Sequence, residues 1–183
     1  QPELCGDTES KGKHGAGVPA DQTYQRENQE GQENERDVMI KEEWQQIKEN
    51  QDVRQNLSRL RQEIKDKDLR RRFSELIRGE EFLLTELLHS EDAKTRKNAA
   101  LLMGDLGRQE FMAPVFESYR KEEQRFVRSS YLTAMGNFDY EEYVQDLKEC
   151  LEELQKTEVT AENQKHLAEE MRELSSLIVR AEG

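Results

Sequence analysis

Five arginines are the residues whose type and spacing could do chemistry. Arg96 and Arg128 stand thirty-two residues apart in similar surroundings, and Arg70, Arg71 and Arg72 are consecutive. A guanidinium presents a fixed fork of N–H donors that matches the oxygens of a phosphate or carboxylate. Two of them at a constant spacing could therefore line one edge for an anionic ligand. They could equally close a ladder of salt bridges between successive structural units, and that is the expected use of Arg96 and Arg128. The triplet, with Lys65, Lys67 and Arg78, could contact RNA phosphates. Three consecutive helical residues spread over most of a turn and cannot form one stripe, so a solvated face is expected instead. The remaining reactive side chains form no constellation. His14, His89 and His166 lie far apart with no Cys or His at ligand spacing, which gives no zinc site. Ser129 and Ser130 have no His or acid at a recognisable distance, and the carboxylates of 139–173 lack the loop and glycine of a calcium site. Cys5 and Cys150 read as free thiols. No catalytic residue, cofactor site or metal site is expected.

What must position these arginines is a very polar chain. Of its 183 residues, 33% are hydrophobic and 37% charged, well to the polar side of ordinary globular usage. The chain has no apolar run of membrane-spanning length, and a cytoplasmic protein is expected. It begins with Gln rather than Met, and it reads as a fragment of something longer. The net charge of −12 argues against general affinity for nucleic acid, but the charge is unevenly placed. Residues 54–78 carry a net +5, whereas 139–173 carry −8.

Residues 1–36 are dominated by Gln, Glu, Asn and Gly, with too little apolar area to offset the backbone entropy of folding, and disorder is expected there. Residues 37–79 read as N-terminal helices. Ile40, Trp44 and Ile47 lie on one helical face; Asp52 offers a cap to a second stripe of Val53, Leu57, Leu60 and Ile64. Leu69, Phe73, Leu76 and Ile77 form a third, closed by Gly79. Trp44 and Phe73 are expected core anchors. No period-two alternation occurs, so no sheet is expected.

From residue 80 the chain repeats itself. "TRKNAALLMGDL", 95–106, aligns with "VRSSYLTAMGNF", 127–138, at a constant offset of thirty-two. Arg96 falls on Arg128, Met103 on Met135 and Gly104 on Gly136. Each block follows another helical segment, "EFLLTELLHS" and then "EFMAPVFESYR", where Pro114 sits in a first turn that tolerates it. A third unit is partial: Tyr143, Val144, Leu147 and Leu151 repeat a first helix, but Thr160 and Ala168 replace the Arg and Gly of its second. Thr160 is expected to cap a long helix with Leu167, Met171, Leu174 and Ile178 on one face. Two helices per thirty-two residues mark an α-solenoid. In such a stack the second helix is touched on two sides, which accounts for the small residues Ala99, Ala100 and Gly104.

These residues resemble the HEAT-repeat family in its short bacterial form. The resemblance lies in Asp92 before the second helix, then Thr95–Arg96, Ala99–Ala100 and Met103–Gly104, and again in Val127–Arg128, Ser129–Ser130 and Met135–Gly136. In the second unit "KEEQ", 121–124, stands where the Asp would be. The resemblance implies an all-α, right-handed solenoid of two to three hairpins over 80–183, ending in a capping or connecting helix. It also implies a non-catalytic scaffold that holds a protein partner. The alternative is an N-terminal accessory domain of a larger RNA-modifying, SAM-dependent methyltransferase-type enzyme, with RNA as a partner only in that case.

Overall fold

The computed structural model describes residues 20–183, and among them there is no β-strand. The chain divides into two compact units, 1–35 and 36–183. Helix α1 runs over Ala20–Lys48, 29 residues. Of the tail expected to be disordered, residues 1–19 lie outside the described residues, and 20–36 carry helical backbone with no described side chain buried. Scarcity of apolar side chains forbids a core, but helix hydrogen bonds are local. Ala, Gln, Glu and Arg all favour the helix, and a segment longer than about 15 residues can sustain one. Every side chain described within 20–35 is exposed.

In the second unit, residues 36–48 of α1 bury Ile40, Trp44 and Ile47, the three positions the spacing marks. Helix α2, Val53–Glu63, buries Leu57 and Leu60. Asp52 does not cap it with its side chain; its backbone is left-handed, with φ 43°, and serves the turn instead. Helix α3, Lys67–Leu76, is capped by Asp66, whose carboxylate accepts from the N–H groups of Asp68 and Leu69. Trp44 meets Phe73 edge to face at 5.8 Å, so the two anchors close α1 onto α3. Gly79 ends this section with φ 87°, a conformation that side chains rarely adopt.

Three hairpins follow. Helix α4, Glu81–Leu87, pairs with α5, Ala93–Leu106; α6, Met112–Lys121, pairs with α7, Arg125–Met135; α8, Val144–Gln155, pairs with α9, Gln164–Glu182. Single 3-10 turns at Gln109–Phe111 and Glu141–Tyr143 lead into α6 and α8. The second helices form a continuous row, α5 against α7 and α7 against α9, and α2 extends it on the far side of α5. This all-α stack is the expected solenoid, with the third hairpin complete. Thr160 contributes to α9 through a turn ahead of it: its hydroxyl accepts from the Asn163 N–H, while the Asn163 side chain accepts from the Thr160 N–H. Leu167, Leu174, Leu177 and Ile178 then face inward.

The glycine at 104 sets the spacing of the row. A Cβ there would stand 2.7 Å from the Ala134 Cα, closer than real Cβ atoms come to backbone, so α5 and α7 touch through this point. Gly136 ends α7 at an ordinary φ of −62°, and the atoms nearest to a Cβ there would be Arg180 Nη1 at 3.0 Å, Leu177 Cδ2 at 3.3 Å and the Thr133 carbonyl at 3.4 Å.

Candidate functional site

The five arginines separate into two groups with different surroundings. Arg96, in the first turn of α5, donates from Nε and Nη2 to both carboxylate oxygens of Glu122, at 2.8 and 2.9 Å. Its Nη1 donates to the carbonyls of Ser90 and Glu91, which begin the turn before α5. The Tyr131 hydroxyl donates to the same Glu122 at 2.8 Å. Glu122 lies in "KEEQ", the α6–α7 corner. Burial pushes its carboxyl up, but the bonds from Arg96, Tyr131 and the Gln124 N–H outweigh that and hold it below the ordinary carboxylate range.

The same device recurs one hairpin later. Arg128, in the first turn of α7, donates from Nε to Glu170 at 2.8 and 3.0 Å, and from Nη1 to the carbonyls of Tyr119 and Glu122. The Tyr119 hydroxyl donates to Glu170 at 2.7 Å, and the Arg128 guanidinium lies 4.6 Å from the centre of the Tyr119 ring. Glu170 is fully buried in α9, and Arg125 adds a longer contact at 3.5 Å. Each arginine thus ties a helix start to a carboxylate of the next unit and to the carbonyls of the corner before it. Arg96 and Arg128 are held in a ladder between hairpins rather than presented along an edge.

Asp92 takes no part in that ladder. It caps α5 by accepting from the Thr95 N–H and hydroxyl, at 3.1 and 2.7 Å, and Arg54 of α2 approaches it at 3.8 Å. The two carboxylates of the ladder are the residues that sequence reasoning missed. A signal for Glu170 was present: it falls three after Leu167 and four before Leu174, a charged residue at a core-facing position.

The basic triplet points three ways. Arg70 donates to the Ile64 and Lys65 carbonyls and closes the end of α2. Arg71 is exposed beside Asp68 at 3.7 Å, and Arg72 meets Asp37 of α1 at 3.2 Å. Other cations of the segment are similarly engaged: Arg61 with Asp105 at 2.8 Å, and Arg54 with Asp92. A hollow of about 430 Å³ between α2 and the end of α5 is lined by Arg61, Lys65, Arg70 and Asp105.

A second cleft, about 310 Å³, opens between α6, α7 and α8. Arg120, Arg125 and Arg128 line it on one side, and Asp146, Glu149 and Glu153 on α8 on the other, with Cys150 among them. Burial pushes the Cys150 thiol up, away from the reactive thiolate. Among the described residues no group of three or more His, Cys, Asp or Glu is placed to hold a metal ion, and no helix is long and apolar enough to cross a membrane.

The model of the HEAT repeats family matches residues 80–167, from the start of α4 into α9. No curated protein and no solved structure matches the chain. Residues 80–167 are thus a HEAT-like repeat segment: it contains the hairpins α4–α5 and α6–α7 and the paired Arg and Gly positions, while α9 and the Glu170 of the ladder run past its end.

Proposed function

We propose that this chain is a non-catalytic scaffold whose outward helix faces hold a protein partner. The observation that carries the reading is where the charges go. The arginines the repeats supply are spent between hairpins, while α8 leaves Glu149, Glu152 and Glu153 exposed with no ion pair among the described residues. Phe82 on α4 and Val179 on α9 are also exposed, at 58% and 68%. Carboxylates interspersed with single large apolar side chains suit a protein surface and repel a phosphate backbone. The test is site-specific photo-crosslinking in cells that express the chain, with the photoreactive residue at Phe82, Glu152 or Val179. The expected result is a discrete adduct that protease removes and ribonuclease does not. An adduct that ribonuclease removes would overturn the reading in favour of an RNA-handling accessory domain.

A further inference from the structure

The seam between α1 and α2 contains polar atoms that its packing does not satisfy. Glu43 is 7% exposed, and its Oε2 has no hydrogen-bond partner. The Oε2 of Glu63, opposite it at the end of α2, is equally buried and unpartnered. The two side chains stand within hydrogen-bond reach of each other. Around them the seam is apolar: Ile40, Trp44 and Ile47 of α1 face Leu57, Leu60 and Ile64 of α2 and Phe73 of α3. Both ends of the seam are pinned, by Arg36–Asp66 and Asp37–Arg72 at 3.2 Å on one side and by Asn56–Gln46 at 2.9 Å on the other.

Two carboxylates cannot both stay ionised at such a range in an apolar seam, whereas one proton between them satisfies an acceptor on each side. We propose that residues 36–48 of α1 form a proton-dependent latch: Glu43 and Glu63 share one proton while the helix is seated on α2, and losing it loosens the helix. The charged groups facing Glu43 do not offset the pair. Arg59 of α2 attracts the ionised form, but it is exposed, and Glu42 on the same helix opposes it. Asp66 and Arg72, from the α3 side, are paired with Arg36 and Asp37.

Burial first, then the bond to Glu63 and its charge, push the Glu43 carboxyl from 4.5 up to about 8. The seated helix therefore holds a proton that the released helix gives up at neutral pH. Seating is unimpaired below the ordinary carboxylate range, weakens as the pH rises through the window from 4.5 to about 8, and is most impaired above it. Within that window one proton is taken up per seating event, so the seating equilibrium falls by up to about tenfold per pH unit.

Trp44 is the single tryptophan of the chain and is buried in this seam, so its fluorescence reports on the latch alone. Acrylamide quenching of the full chain is measured from pH 6 to 9. The expected result is quenching that rises steeply with pH in the parent, stays flat in Glu43→Gln, and rises less steeply in Glu63→Gln, where Glu43 is still buried but an amide donates to its ionised form. A flat parent, or the same rise in both variants, would overturn the latch. If the variants lose their helical signal, carboxyl-labelled glutamate in the parent decides. A carboxyl resonance titrating near pH 8 supports the shared proton, and titration of every glutamate below pH 6 rules it out.

Discussion

At position 104 a single missing carbon decides how closely two helices approach. Alanine favours a helix interior over glycine by about 0.5–1 kcal/mol, so on local grounds Gly104→Ala should stabilise α5. Against that stands the Ala134 Cα at 2.7 Å from the new carbon, with its Cβ at 2.9 Å. Both belong to the α7 wall and can move only by shifting a helix, and overpacking of this kind costs about 1–3 kcal/mol. The packing term is larger, and Gly104→Ala is expected to lower the urea midpoint by the equivalent of about 1–2 kcal/mol. Gly136 occupies the equivalent place in the sequence repeat but not in the energetics. Its closest neighbour, Arg180 Nη1 at 3.0 Å, is the end of a flexible side chain, the buried Leu177 Cδ2 at 3.3 Å need give only a few tenths of an ångström, and its φ is one any residue adopts. Gly136→Ala should leave the midpoint within about 0.5 kcal/mol of the parent, the range of an ordinary surface change. Equal losses at both sites would show that the thirty-two-residue register, not the local contact, sets the cost.

Between elements, the joint that ties the first hairpin to the second is Arg96–Glu122–Tyr131. Glu122 ionises below its ordinary value near 4.5, so its contribution to stability is present above that value and lost as the pH falls through the lowered one. The parent's melting temperature should therefore drop as the pH falls below about 4.5, and Glu122→Gln should flatten part of that drop while melting lower at pH 7, where Arg96 has lost its counter-charge. A parent and variant with parallel acid profiles would show that the joint contributes nothing. This joint also marks how far the sequence could be read. The helices, their inward faces and the paired Arg and Gly were legible because period and offset are local properties of the string. The second unit lacks the Asp of the first, yet "KEEQ" itself supplies the carboxylate of the ladder, because the corner turns Glu122 back toward α5. Glu170 lies forty-two residues from Arg128 and off the thirty-two-residue register, and only packing of α9 on α7 brings them together. Over residues 20–36 the composition marks a segment without a core, and the described side chains of 20–35 are all exposed; local helix hydrogen bonds, which need no core, leave no trace in such a count.

For the whole molecule, the question is whether the basic segment is a free cationic surface or an internal counterweight. Residues 54–78 carry a net +5 in sequence, but the fold distributes that charge against acids from elsewhere: Arg54 on Asp92, Arg61 on Asp105, Arg72 on Asp37. Arg70 faces backbone carbonyls, and Arg71 shares its exposed position with Asp68. Arg59, Lys65, Lys67 and Arg78 stay exposed with no ion pair among the described residues, but they sit in a chain of net charge −12, whose long-range field opposes a polyanion. Binding to a single-stranded RNA of about twenty nucleotides should accordingly be undetectable near 0.15 M salt, where the screening length is about 8 Å and only close cation contacts count. A true phosphate-binding face would behave otherwise. Its affinity would fall with salt at a log–log slope of about −0.7 for each phosphate contacted, and replacing Arg70, Arg71 and Arg72 together by Glu would flatten that slope. Fluorescence anisotropy with end-labelled RNA, titrated at several salt concentrations for the parent and the triple variant, separates the two. The expected outcome is no binding by either. Submicromolar binding by the parent with a steep slope that the triple variant loses would mean that the arginines exchange their internal partners for phosphates, and the accessory-domain reading would replace the scaffold.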